Sequence, residues 1–140
     1  MAGINAGRVV GGGLVAGLVM NVVDGVTNGM ILAPQWDAET KRLGIDMSQQ
    51  SQALVGWLTY GFLCGIVLVW LYASIRPRYG PGAKTAVIAG LALWLITHLA
   101  FAAWAFTGLY SVGVVAASTV GGLVSGVAGG LAGCALYKEA

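Results

Sequence analysis

Four long apolar stretches, separated by short polar segments, dominate the pattern of hydrophobic and polar positions along this chain. They run from about residue 9 to 32, 53 to 74, 84 to 106 and 110 to 137. At a rise of about 1.5 Å per residue, a helix of this length crosses the hydrocarbon core of a bilayer, which is about 30 Å thick. The pattern therefore predicts an all-α integral membrane protein, a single domain in which four transmembrane helices form a compact bundle.

The polar segments predict how the four helices are joined. Residues 33–52 are the only substantial extramembrane piece, and residues 37–43 within it are compatible with two turns of helix lying on the membrane surface. The alternative is an ordered loop that only joins the first two spans. Prolines and glycines between Arg76 and Gly82 predict a turn that ends the second span. Only residues 107–109 separate the last two spans, which predicts a tight antiparallel hairpin.

Composition and charge limit the classes of function that this chain can have. The chain is 58% hydrophobic and only 9% charged, more apolar surface than a water-soluble fold can cover. Its basic residues are scattered singly, so nucleic-acid binding has no electrostatic support. No phosphate-binding loop, metalloprotease helix or nucleophile elbow occurs in the sequence. We therefore expect a protein that is not an enzyme.

The distribution of basic residues predicts an orientation. Four crossings place both termini and the second loop on one side, which has five basic residues: Arg8, Arg76, Arg78, Lys84 and Lys138. The other side has only Lys41 and Arg42. Because basic residues are retained on the cytoplasmic side, both termini are predicted to be cytoplasmic.

Small residues form regular rows in two of the spans. In the fourth span they recur at every fourth position: Gly113, Ala117, Gly121, Ser125, Gly129 and Gly133. A second row lies beside the first: Ser118, Gly122, Gly126, Gly130 and Cys134. The first span has a row of the same spacing: Gly13, Gly17, Asn21, Gly25 and Gly29. Small residues in lipid allow helix backbones to approach closely, so the rows are predicted packing surfaces.

The rows leave two interpretations open. The rows of the first and fourth spans could face each other and hold the bundle together, or the second row of the fourth span could accept a helix from another subunit. The leading functional hypothesis is a non-enzymatic membrane subunit that packs through these glycine faces in a homo-oligomer or a larger membrane complex. Its partners would be membrane lipid and other transmembrane helices.

Polar residues inside the spans form a second candidate site. Asn21, Asp24 and Asn28 share one face of the first span, and Asp24 lies near mid-membrane, where a carboxylate costs about 2.5–3.5 kcal/mol. His98 lies at a similar depth in the third span. The spacing predicts a hydrogen bond between Asp24 and His98, with the asparagines and Thr97 pairing with the remaining donors and acceptors. A structural clamp and a working site are both consistent with this pattern.

Three resemblances suggest functions or a source. The span count, the acidic residue in the first span and the glycine-rich fourth span are similar to small multidrug-resistance transporters, which implies proton-coupled transport with Asp24 as the coupling carboxylate. The segment LITHLAFAAW, residues 95–104, resembles the helix of bacterial antenna polypeptides. That resemblance implies a bacteriochlorophyll, chlorophyll or haem group with His98 as axial ligand, whereas no cofactor at all is the simpler expectation. The opening RVVGGGLVAGLVMN, residues 8–21, followed by Asp24, resembles small uncharacterised bacterial four-span membrane proteins. It implies the bacterial inner membrane and no activity.

Overall fold

The computed structural model describes residues 3–46, 48 and 50–139. The described residues form five α-helices: α1 (Ala6–Val26), α2 (Ala33–Leu43), α3 (Gln50–Tyr79), α4 (Ala83–Phe106) and α5 (Val112–Cys134). A π-helical turn, Thr27–Ile31, continues α1. Four segments are long and apolar enough to span a membrane: Ala6–Ile31, Ser51–Tyr79, Ala83–Phe106 and Val112–Cys134. The predicted all-α membrane fold with four spans is confirmed.

The segment between the first two spans contains a helix. α2 begins with Pro34 in its first turn and ends at Gly44, whose φ of 65° is the left-handed conformation that closes many helices. Trp36 in this helix packs edge-on against Tyr110, with ring centroids 5.4 Å apart. α2 therefore lies against the hairpin that joins α4 and α5. Met47 and Gln49, which belong to the predicted segment 33–52, lie outside the described residues.

The second span ends later than the sequence pattern predicts. α3 continues through Pro77 to Tyr79, and the turn is confined to residues 80–82. A proline in the last turn removes only one intrahelical hydrogen bond, so it does not have to end the helix. Gly80 and Gly82 end it instead, with φ values of 82° and 118°. The last span differs in the other direction, because α5 ends at Cys134, three residues before the predicted boundary.

The four long helices occupy the corners of a square. α1 packs against α3 and α5, whereas α4 packs against α5 and α3. α1 and α4 are therefore on opposite corners.

We divide the bundle into a terminal half (residues 5–20, 61–93 and 126–139) and a loop half (residues 21–60 and 94–125). The main cluster of buried apolar residues lies in the terminal half, around Leu68 and Val69, which are fully buried, whereas Leu32, Val114 and Val115 are buried in the loop half. In the loop half, residues 51–60 of α3 are all exposed.

Candidate functional site

The two small-residue rows of α5 each face a helix of the same chain. The first row faces α1: Gly121 lies against Thr27, and Gly129 lies against Met20. The glycines of the second row face α4, where Gly126 and Gly90 lie backbone to backbone, whereas Ser118 of that row bonds to Asn28 of the first span. The glycines of the second row are therefore covered by α4 of the same chain and do not require a helix from another subunit.

The row of α1 faces α3 and not α5. A side chain at Gly65 of α3 would overlap the backbone of Gly13 and Gly17. α1 presents its neighbouring face to α5, and there a side chain at Gly133 would overlap the carbonyl of Gly12. The rows of the first and fourth spans thus do not face each other, because α1 lies between two helices and uses two adjacent faces.

Three glycines of the predicted rows have no neighbour from another helix among the described residues. No heavy atom lies within 4 Å of a Cβ built at Gly25, Gly29 or Gly113. All three are in the loop half, at the end of the bundle where the first part of α3 is exposed. The predicted packing surfaces are therefore used in the terminal half, whereas in the loop half Gly121 and Gly122 are packed and these three glycines are open.

Asp24 bonds to α5 and not to His98. Its Oδ2 accepts a hydrogen bond of 3.0 Å from Oγ of Ser125, a side chain that is only 1% exposed. Among the described residues no hydrogen bond joins Asp24 to His98, although the two lie within electrostatic range. The expected pairing fails because α5 packs between α1 and α4, so that equal depth in the membrane does not bring the two side chains together.

Asn28 is the most connected polar residue of this region. Its Nδ2 donates to the backbone carbonyl of Asp24 at 3.3 Å. Its Oδ1 accepts from Oγ of Ser118 at 2.8 Å and from Nε1 of Trp36 at 3.2 Å. Asn28 therefore joins α1, α2 and α5. We name Asp24, Asn28, Ser118 and Ser125 the polar chain.

Asn21 faces a different helix from the other two polar residues of α1. Its Nδ2 donates to the carbonyl of Leu58 in α3 at 3.1 Å. The sequence pattern predicts His98 as the partner of Asp24, whereas the structure places Ser125 there and gives Asn28 the partners Ser118 and Trp36. The pattern predicts only packing for Ser118 and Ser125, and the signal that identifies them is a hydroxyl in the glycine row at the depth of a buried polar group.

His98 is engaged within α4 and against α5. Its Nδ1 lies 3.2 Å from the carbonyl of Trp94 and 3.1 Å from Oγ1 of Thr97, and its ring stacks on Trp94 at 6.1 Å. Cε1 and Nε2 form the edge that lies against Gly122. Axial ligation through Nε2 would require α4 and α5 to separate, so the tetrapyrrole hypothesis gains no support from this geometry. Thr97 bonds only within its own helix, to Leu93 and Trp94.

A cleft opens beside the polar chain at the end of the bundle that contains α2. It has a volume of about 370 Å³ and is lined by Leu32, Gln35, Ala38, Glu39, Ser111, Gly113, Val114 and Ala117. Its wall includes Glu39, whose Oε1 accepts from the Ser111 amide at 3.2 Å and whose Oε2 pairs with Arg42 at 2.6 Å. These hydrogen bonds, from Ser111 first and then from Arg42, lower the pKa of Glu39 below its ordinary value.

Neither a metal-binding cluster among the described residues nor a related protein indicates a function. The part of the chain that the structure describes contains no group of three or more His, Cys, Asp or Glu side chains that could hold a metal ion. Comparison with protein-family models, with curated proteins and with solved structures found no match to this chain. Proton-coupled transport through Asp24 stays a hypothesis.

Proposed function

We propose that this protein is a non-enzymatic subunit of the bacterial inner membrane that assembles with a second copy of itself through the loop half. The observation that carries the proposal is the first part of α3. Residues 51–60 are exposed on every face of the helix, including Trp57 at 69% and Val55 at 63%. Within a bundle, a spanning helix normally presents only part of its circumference to lipid, whereas all ten of these consecutive residues are exposed.

The open glycines support the same interface. A glycine in a helix costs about 1 kcal/mol relative to alanine, and in a membrane the compensation is a close approach of two backbones. Gly13 and Gly17 obtain this compensation from α3, whereas Gly25 and Gly29 obtain none within the chain. Gly56 in the exposed part of α3 is open in the same way.

These surfaces complement each other in shape. α1 offers a flat strip at Gly25 and Gly29, and α3 offers large side chains at Leu54, Trp57 and Leu58. The strip of one copy can receive the large side chains of the other, and a two-fold axis would repeat the contact. A second copy is thus the partner that the exposed surfaces of this chain favour.

The oligomer can be tested in liposomes by energy transfer between labelled copies at decreasing protein-to-lipid ratio. Gly25→Leu and Gly29→Leu should each weaken association about tenfold, which corresponds to about 1.4 kcal/mol. Gly11→Leu is the matched control, because Gly11 is an open glycine of the same helix at the opposite end. A parent protein that is monomeric at every ratio would refute the interface, as would equal association of all three variants and the parent.

We further propose that both termini are cytoplasmic, supported by the five basic residues on their side against two on the other. A cysteine introduced at Asp46 should react with an impermeant reagent added outside the cell, and one introduced at Gly80 should not. Cys64 and Cys134 are replaced in both variants so that only the new thiol can react. The reverse labelling pattern would overturn the orientation.

A further inference from the structure

A groove lies at the terminal end of the bundle, between the first turns of α1 and the segment that follows α5. It has a volume of about 490 Å³ and is lined by Asn5, Gly7, Arg8, Gly11, Gly12 and Leu136. These residues belong to the start of the first span and to the end of the last one. The groove is therefore at the level where the headgroups of a bilayer meet its hydrocarbon core.

Glycines of α1 leave the space that forms this groove. Among the described residues, no heavy atom lies within 4 Å of a Cβ built at Gly11, and the nearest atom at Gly7 is Asn5 Oδ1 at 3.6 Å. Gly12 is different, because a side chain there would overlap the Gly133 carbonyl of α5. The groove is thus an open depression on α1 beside a tightly packed contact between two helices.

The other wall of the groove is held in place by the residues after α5. Leu136 lines the groove, and the next residue, Tyr137, is only 4% exposed. The Tyr137 hydroxyl accepts a hydrogen bond from the Asn5 amide at 3.3 Å, and the Arg76 guanidinium lies 5.7 Å from the centre of its ring. Arg76 also pairs with Glu139 at 2.9 Å. These contacts fix Leu136 beside the groove and leave the groove open.

A positive charge lies in the lining of the groove. Arg8 is exposed, and among the described residues no carboxylate pairs with its guanidinium. The Arg8 amide donates to Asn5 Oδ1 at 3.1 Å, so this end of α1 is already capped. The charge of the groove therefore comes from the Arg8 side chain and not from the helix terminus.

The two ends of the bundle differ in charge in the same sense. The terminal end has five basic residues, and its one acidic residue, Glu139, is paired with Arg76. The loop end has two basic and three acidic residues: Lys41, Arg42, Asp37, Glu39 and Asp46. An anionic group is therefore attracted to the terminal end and not to the loop end.

We propose that the groove binds one anionic phospholipid. Its phosphate pairs with Arg8, since a guanidinium binds phosphate through two parallel hydrogen bonds. Its acyl chain lies along Gly7 and Gly11 beside Leu136, where it supplies the dispersion contacts that an empty groove lacks. A zwitterionic lipid fits less well, because the cationic part of its own headgroup competes with Arg8 for the phosphate.

The charge of the groove also argues against a second copy of this chain as its occupant. A copy related by an axis along the membrane normal brings its own basic end to the same level, so that like charges oppose each other. The surfaces that we propose for the oligomer lie at the opposite end of the bundle. The lipid proposal is therefore independent of the oligomer.

Native mass spectrometry of the delipidated protein in detergent tests the lipid site. The protein is titrated with phosphatidylglycerol or with phosphatidylcholine of identical acyl chains, and the dissociation constant of the first bound lipid is measured. Phosphatidylglycerol should bind about tenfold more tightly, which corresponds to about 1.4 kcal/mol. Soluble glycerol phosphate, which has the anionic headgroup without the chains, should not compete at comparable concentrations.

Two pairs of variants separate the charge from the groove. Arg8→Gln should abolish the preference for phosphatidylglycerol, whereas Lys84→Gln should retain it, because Lys84 is an exposed basic residue at the same end that does not line the groove. Gly11→Leu should weaken the binding of both lipids about tenfold, because its side chain fills the groove. Ala83→Leu, at an exposed position outside the groove, is the matched control.

Four results would overturn the proposal. Equal affinity of the parent protein for the two lipids would exclude an anionic site, and equal losses of preference in Arg8→Gln and Lys84→Gln would assign it to the basic surface as a whole. Equal lipid binding by Gly11→Leu and Ala83→Leu would exclude the groove. Effective competition by glycerol phosphate would show a site for a free anion. Thermal unfolding without added lipid checks that each variant is folded, and energy transfer in liposomes checks separately that Gly11→Leu still associates.

Discussion

The two halves of the bundle are held together by different interactions. In the terminal half, helix backbones touch: Gly65 lies on Gly13 and Gly17, and Gly133 lies on Gly12. In the loop half the contacts between spans include hydrogen bonds of polar side chains, such as Asn21 to the Leu58 carbonyl, beside the contacts of Gly121 with Thr27 and of Gly122 with His98. The main cluster of buried apolar residues lies in the terminal half.

This difference indicates which half is the more rigid. Close contact of helix backbones at glycines excludes lipid and gains dispersion energy. Individual hydrogen bonds between membrane helices contribute only about 0.6 kcal/mol on average, because polar groups find other partners when the helices separate. We therefore expect the terminal half to be the more stable part of the bundle, whereas the loop half, where the proposed interface lies, can open locally.

The largest expected effect comes from placing the same side chain at two ends of one glycine row. Gly133→Leu should destabilise the protein by about 3 kcal/mol or more, because the new side chain collides with the Gly12 backbone. Gly113→Leu should leave the stability almost unchanged, because Gly113 faces open space. Thermal unfolding in detergent compares the two variants. Equal midpoints would show that the two halves do not differ in packing.

Much of the fold follows from the sequence, and the reason is physical. Spans must be long and apolar, so hydropathy finds them within a few residues of α1, α3, α4 and α5. The predicted end of the second span was wrong at Pro77, because a proline in the last turn of a helix removes only one hydrogen bond. In the terminal half, Gly13, Gly17, Gly129 and Gly133 of the predicted rows each lie against a neighbouring helix.

The partners of those faces could not be read from the sequence. A period of four defines a face of a helix but does not say which neighbour covers it. Asp24 and His98 have similar depths, yet the arrangement of the helices around the bundle axis places α5 between them. The sequence does not reveal Ser125 as the partner of Asp24, because a serine is compatible with a row of small residues as well as with a polar network. The arrangement of helices about the axis was thus the missing information.

The second-largest expected effect concerns the hydrogen bond between Asp24 and Ser125, at the boundary of the two halves. A double-mutant cycle between Asp24→Asn and Ser125→Ala should give a coupling energy of about 0.5–3 kcal/mol, as for residues in direct contact. The cycle between Asp24→Asn and His98→Gln should give a smaller value, because α5 separates the two side chains. Asp24→Asn should also be more stable than Asp24→Leu, since the amide can still accept from Ser125.

Thermal or denaturant unfolding in detergent supplies the free energies for both cycles. A larger coupling with His98 than with Ser125 would restore the pairing expected from the sequence. A Leu variant as stable as the parent would show that the hydrogen bond does not stabilise the bundle.

A third, smaller effect tests a hydrogen bond in the packed half. The Tyr137 hydroxyl accepts from the Asn5 amide at 3.3 Å, while its ring lies edge-on to Tyr72 at 5.9 Å. Tyr137→Phe keeps the ring and removes the bond, so it should destabilise by about 1 kcal/mol. Tyr79→Phe, at a half-exposed tyrosine, is the control. A loss of several kcal/mol for Tyr137→Phe would mean that polar contacts, and not packing, hold the terminal half.

The smallest effect is expected where α2 covers the loop half. Because the pKa of Glu39 is lowered in the folded protein, this carboxylate stabilises the α2 contact at neutral pH. The stabilisation is lost as the pH falls through the lowered pKa, when protonation weakens the bonds to the Ser111 amide and to Arg42. The loss should be slight, since Arg42 is half exposed and water screens the pair.

Hydrogen exchange of the Ser111 amide, corrected for its intrinsic pH dependence, should therefore accelerate at acid pH in the parent. Glu39→Gln should remove this acceleration, whereas Asp37→Asn, at an exposed position of the same helix, should retain it. If Asp37→Asn abolished the acceleration and Glu39→Gln did not, the acid-sensitive contact of the loop half would have to be assigned to the other carboxylate of α2.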